Sequence, residues 1–145
     1  MDFKVYNKLP AEAAKIRETV FVQEQGFREE FDTTDQFASH LVCYDKNLPI
    51  GTCRYFKDGA DGHFIIGRIA ILKQYRGKNI GSFLLKAAEQ EIKKNGGKRI
   101  HLHSQEQAKE FYKKQGYQEY GDTDSEQGCP HIWMYKNLSS KKRHF

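Results

Sequence analysis

The chain has 145 residues, 38% of them hydrophobic and 30% charged, a balance that suits one folded domain with its own core and excludes a disordered chain. No apolar run approaches the ~20 residues of a membrane-crossing helix. Met1-Asp2-Phe3-Lys4 opens without the apolar segment of a secretory signal, and the three cysteines, Cys43, Cys53 and Cys129, are widely spaced and odd in number, so a reducing cytoplasm and no zinc motif are expected. The net charge of +5 is partly local: Lys141-Lys142-Arg143-His144 forms a basic tail over 139–145 behind a domain spanning 1–138. No recognition helix or aromatic RNA motif accompanies that charge, so a nucleic-acid partner is disfavoured and a solvated basic surface, suited to an anionic ligand, is preferred.

Phe3-Lys4-Val5-Tyr6 alternates as a first strand. Leu9-Pro10 opens a helix whose stripe is Leu9, Ala13, Ile16 and Val20, reaching about Gln25, with Gly26 as its stop. Glu24 to Asp35 is irregular and acidic, either a solvated loop with a short helix or a negative rim attracting a cation. Strands follow over His40–Tyr44, Ile50–Phe56 and from His63 to Leu72, separated by the turns Asp45–Pro49 and Asp58–Gly62. Cys43 and Cys53 fall in these strands as small core residues. Ile80, Phe83, Leu84, Ala87, Ala88 and Ile92 form the stripe of a helix that Asn95-Gly96-Gly97 ends. Arg99–Ser104 is a strand entered from that helix and therefore parallel to its predecessor. Gln107–Gln115 is a helix ended by Gly116, Tyr117–Tyr120 a strand, Gly121–Gly128 a polar loop and His131–Tyr135 the last strand. The predicted class is α/β, with a mixed sheet of about six or seven strands, flanking helices and the order β-α-(α)-β-β-β-α-β-α-β-β.

The strand ending at Leu72 runs into Gln74-Tyr75-Arg76-Gly77-Lys78-Asn79-Ile80-Gly81 and from there into a helix. The first turn of a helix carries unpaired N–H groups and a partial positive charge. Gly77 and Gly81 let a bulky anion approach the backbone, and Arg76 and Lys78 add charge, so the stretch reads as a phosphate cradle. It is neither a P-loop nor a dinucleotide fingerprint. It resembles motif A of the GNAT (GCN5-related) N-acetyltransferases, Gln/Arg-x-x-Gly-x-Gly/Ala, through Gln74 and Gly77, with Asn79 where the family has Gly or Ala. Arg17, Val20-Phe21-Val22, Glu24-Gln25, Glu30, Asp32 and Asp35 resemble the ElaA/YjcF-like branch of that family, as does Gly128-Cys129-Pro130-His131. Gln105-x-x-Ala108-x-x-Phe111-Tyr112-x-x-x-Gly116-Tyr117 is similar to the family's Asn-x-x-Ala-x-x-x-Tyr-x-x-x-Gly-Phe, with Gln105 at the usual Asn.

The resemblance implies the GNAT fold over nearly the whole chain and an N-acetyltransferase using acetyl-CoA as cosubstrate, with direct attack by an amine. The main chain of Ile69, Ala70 and Ile71 would pair with the pantetheine arm where two strands splay. Gln74 and the amides of Arg76, Gly77, Lys78, Asn79, Ile80, Gly81 and Ser82 would hold the pyrophosphate, and Gln105 would touch the arm. Tyr112 would protonate the leaving thiolate; the alternative is an aromatic packed on the sheet. Some family members carry a base on the strand before motif A, yet no acid lies between His63 and Leu72. Glu24 and His131 lead the candidates for a base, ahead of His63 and His103. His101 and His103 share one strand face, and no third ligand at a telling spacing marks a metal. The acceptor would be a small-molecule or protein amine, and a homodimer is admissible because dimers are common in the family. A non-catalytic acyl-CoA sensor or scaffold is the alternative.

Overall fold

The computed structural model describes residues 1–28, 31–59, 61–126 and 128–138; Glu30, among the branch residues, and the basic tail lie outside them. Seven strands, β1 (Asp2–Tyr6), β2 (Ser39–Asp45), β3 (Leu48–Lys57), β4 (His63–Ile71), β5 (Arg99–Gln105), β6 (Gln118–Glu126) and β7 (Cys129–Asn137), form one sheet in the order β1-β2-β3-β4-β5-β7-β6. The β4–β5 ladder is parallel, whereas β1–β2, β2–β3, β5–β7 and β6–β7 are antiparallel. The helices are α1 (Ala11–Arg17), α2 (Ile80–Lys94) and α3 (Lys109–Lys114). The mixed sheet and its element order agree with the sequence expectation. No described helix is long and apolar enough to cross a membrane.

The chain forms two compact units, one of Met1–Phe56 with Ile66–Ala88, the other of Lys57–Ile65 with the residues from Glu89 onward. In the first, α1 continues into a π-helical turn over Glu18–Glu24, where a regular α-helix to Gln25 was expected. The Gln25 amide reaches the Val20 carbonyl at 3.1 Å and the Phe27 amide reaches Phe21 at 2.8 Å. This wider winding turns the consecutive Val20 and Phe21 both inward, onto a cluster with Ile16 and Ala70. Ala13, Val42 and Tyr44 form a second cluster, against which Tyr6 and Leu9 pack. Cys43 and Cys53 are buried, and burial pushes the Cys43 thiol up to about 12, so neither is an active nucleophile.

In the second unit, β5 alternates strictly: Ile100, Leu102 and Ser104 are buried, and His101, His103 and Gln105 share the other face. The segment expected to be a polar loop, Gly121–Gly128, is strand as far as Glu126. Its ladder with β7 is irregular between Tyr120 and Asp124, and Gly121 sits at φ +75°. β6 is the sheet's last strand and is exposed on both faces, so no apolar alternation reveals it. The predicted Gln107–Gln115 helix splits into a 3₁₀ turn, Glu106–Ala108, and the six-residue α3.

Candidate functional site

The turn between β4 and α2 is built by three short-range constraints. The Leu72 amide bonds the Ile50 carbonyl at 2.9 Å, which anchors the end of β4 to β3. A 3₁₀ turn over Lys73–Tyr75 follows, closed by Tyr75 onto Leu72 at 2.9 Å and by Arg76 onto Lys73 at 3.2 Å. Gly77 (φ +78°) and Asn79 (φ +63°) then adopt left-handed backbone. Asn is the side-chain-bearing residue that best tolerates this region, so it replaces Gly here without breaking the turn. The Phe83 amide bonds the Asn79 carbonyl at 3.1 Å. Among the described residues, no backbone acceptor meets the amides of Gly77, Lys78, Asn79, Ile80 and Gly81. A Cβ built on Gly77 would meet nothing within 4 Å, so the space beside that residue is open. Unpaired amides at the mouth of a fifteen-residue helix are the groups to which an anion can bind.

The side chains around this turn are already engaged. Arg76 donates through Nε to the Ile71 carbonyl at 2.9 Å and grips Glu24 at 2.6 and 2.8 Å. The hydrogen bond from Arg76 holds the Glu24 carboxyl below its ordinary range. A carboxylate so paired is a poorer proton acceptor than a free one, which weighs against Glu24 as a base. Lys78 lies 5.7 Å above the Tyr75 ring, and Gln74 is exposed.

β4 pairs with β5 through three positions, His63–Arg99, Phe64–Ile100 and Ile65–His101. Arg68, inside the strand, sits at φ +52°, a left-handed kink. Downstream, Ala70 is buried beneath Ile16, Val20 and Phe21, while Ile69 and Ile71 are half-buried.

Tyr112 belongs to the second unit. It is 8% exposed, and its ring meets Phe111 and Tyr117 edge to face at 5.1 and 6.1 Å. Tyr117 donates to Glu89 at 2.8 Å. Gln105 accepts from the Gln107 amide at 2.8 Å. His131 is 4% exposed, and its Nδ1 lies 2.8 Å from the Cys129 carbonyl. A carbonyl only accepts, so Nδ1 carries a proton, and in the neutral ring Nε2 presents the lone pair.

An ion cluster in the first unit escapes the sequence reading. Arg17, 1% exposed, donates to both oxygens of Asp35 at 2.8 and 3.0 Å. Arg54 reaches Asp35 at 3.0 Å and Asp32 at 2.6 and 3.1 Å, and Arg68 reaches Asp32 at 3.2 Å. The expected negative rim is therefore corrected: Glu24, Asp32 and Asp35 are each matched by arginine. The sequence carried only half of the signal: Arg54 and Arg68 interrupt apolar strands and Arg17 adjoins the buried helix stripe, but nothing in it pairs them with these acids.

An acetyltransferase (GNAT) domain family matches residues 7–138. The uncharacterised N-acetyltransferase YjcF of Bacillus subtilis is 35% identical over 129 residues, covering 87% of this chain and 91% of that protein. A Lactobacillus plantarum crystal structure assigned as an N-acetyltransferase is similar at TM-score 0.86 and 32% identity, over 96% of this chain and 100% of that one. An aminoglycoside 6'-N-acetyltransferase solved with coenzyme A shares the fold at TM-score 0.75 and 15% identity, over 99% of this chain and 100% of that one.

Proposed function

This chain belongs to the acetyltransferase (GNAT) family, in the branch of YjcF, and on that premise we propose that it acetylates a primary amine with acetyl-CoA by direct attack. The observation that carries the reading is the run of unpartnered amides from Gly77 to Gly81 at the mouth of α2, which suits a pyrophosphate. The fold neighbour solved with coenzyme A supports the same cosubstrate class. The main chain of Ile69, Ala70 and Ile71 would accept the pantetheine arm as an added strand; the Ile71 carbonyl already accepts from Arg76.

In the reaction the amine nitrogen bonds to the thioester carbon, the carbon–sulfur bond breaks, and the thiolate takes a proton from Tyr112. The ammonium formed on attack gives its proton to Nε2 of His131, the one leading base candidate not locked in an ion pair. The protein's part is chiefly to position amine and thioester. The pairing of Glu24 with Arg76 favours one second reading, a non-catalytic acyl-CoA binder lacking a base.

Calorimetry with acetyl-CoA, followed by thiol release against polyamines, amino acids, aminosugars and lysine peptides, tests both. Binding with release in at least one acceptor is expected. No heat at millimolar acetyl-CoA overturns the proposal, and binding without release from any amine selects the non-catalytic reading.

A further inference from the structure

Three strands of the second unit converge on a group of side chains that no step of acetyl transfer requires as a group. His103 stands on β5 opposite Trp133 of β7. His131 stands on β7 opposite Gln105 on one side and Asp124 of β6 on the other, and Glu126 of β6 is opposite Cys129. Side chains of directly opposed residues project to the same face. One ligand atom each of His103, Glu126 and His131 lies within 4.8 Å of the other two.

The hydrogen bonds of His131 are those of an oriented metal ligand, and those of the neutral His103 ring accommodate one. His131 commits its Nδ1 proton to the Cys129 carbonyl at 2.8 Å, so Nε2 is the lone-pair nitrogen. A metal-binding imidazole is oriented in this way, with its second nitrogen donating to a carbonyl or carboxylate. His103 has Nε2 at 2.8 Å from Asp124 Oδ1 and Nδ1 at 3.0 Å from Glu126 Oε1. An imidazolium donates through both nitrogens and satisfies both contacts; a neutral imidazole has one N–H and, since a carboxylate only accepts, leaves one contact without a proton. A cation between His103 Nδ1 and Glu126 resolves it and leaves Asp124 to hold Nε2–H. The His103 ring is also fixed between Trp133, 4.6 Å away at 21°, and His131, 4.7 Å away at 34°.

We propose that His103, Glu126 and His131 bind a divalent first-row ion of the zinc type, with Asp124 and the Cys129 carbonyl orienting the two imidazoles. Two imidazoles and one carboxylate suit zinc and its neighbours, whereas magnesium and calcium demand oxygen ligands. Three protein ligands leave a fourth position for water or a ligand group. With metal–ligand distances of about 2.0–2.2 Å, the ligand atoms must draw together. Glu126, at the end of the sheet's last strand with a side chain 41% exposed, has the freedom to do so. Metal binding stands apart from the proposed function. One consequence rests on it: an ion on His131 Nε2 occupies the lone pair assigned to the amine proton, so the loaded protein would be silent in transfer.

The untagged chain, stripped by chelator, is titrated with zinc chloride in a calorimeter and, separately, with cobalt(II) under visible spectroscopy, with neither acetyl-CoA nor amine present. Saturable binding of one equivalent with tetrahedral cobalt bands is expected. His103→Ala and Glu126→Gln should each weaken it more than about 10-fold, and Asp124→Asn about 10-fold through the orienting bond. Cys129→Ser should leave it unchanged. Glu126→Gln changes a partly exposed, isosteric group, so it keeps the test decisive should His103→Ala fail to fold. Absence of saturable binding, or binding insensitive to Glu126→Gln, overturns the proposal, whatever the acetyl-transfer assays give.

Discussion

Asp35 shows how a buried charge is held ionised. Burial pushes its carboxyl up, but the hydrogen bonds and charges of Arg17 and Arg54 outweigh that and set it at about 2, below the ordinary 3.8. A depressed carboxylate stabilises the fold above its unfolded pKa, and that contribution is lost as pH falls through its folded value. Urea midpoints should therefore decline from about pH 4 toward pH 2, and Asp35→Asn should flatten that decline. At pH 7 the same substitution removes the carboxylate charge that Arg17 and Arg54 share and should cost about 3–5 kcal/mol in urea unfolding. An unchanged acid limb in Asp35→Asn would mean that other carboxylates carry it. Glu24 is the contrasting case, since its partner Arg76 is partly exposed and the pair contributes only about 0–1 kcal/mol. Glu24→Gln should leave kcat nearly intact and tighten coenzyme A by freeing Arg76. A collapse of kcat would return the base to Glu24.

At the scale of elements, the edge of β4 is set from below by a glycine. A Cβ at Gly51 of β3 would meet Ile71 Cδ1 at 2.8 Å and the Ala70 carbonyl at 3.3 Å. The tip of Ile71 can rotate away, but the carbonyl moves only with the strand. Gly51→Ala should destabilise by about 1–3 kcal/mol and raise KM for acetyl-CoA more than it lowers kcat, because the main chain proposed to pair with the cosubstrate shifts. Steady-state kinetics beside thermal melting separates the two effects. Such elements were legible where one face is apolar: the α2 stripe and the β4 run announce themselves by spacing. β6 was not, because a strand exposed on both faces carries no pattern. The π-turn was not, because a change of winding leaves the same residues in the same order. The motif A turn was legible through Gln74, Gly77 and Gly81, whereas the arginine clamps on Glu24, Asp32 and Asp35 join residues too far apart in sequence for any local pattern to report.

Over the whole molecule, charge is the property that reaches furthest from any single residue. The chain carries a net +5, and its proposed cosubstrate is a polyanion. In the proposed site the amides from Gly77 to Gly81 would give short-range complementarity, since unpaired N–H dipoles act over the first turn of a helix and lose their reach beyond it. The long-range part comes from lysines and arginines in excess over acids, and it acts on the encounter rather than on the bound state. These two contributions respond differently to salt. Raising ionic strength from about 0.05 to 0.5 M shrinks the screening length from about 14 to 4 Å, which removes steering but leaves contact hydrogen bonds in place. The association rate of acetyl-CoA in stopped flow should therefore fall several-fold while the dissociation rate changes little. Were the dissociation rate to carry the salt effect instead, the phosphates would be held by side-chain ion pairs such as Lys78 or a released Arg76, and the backbone receptor would be the lesser part of the site.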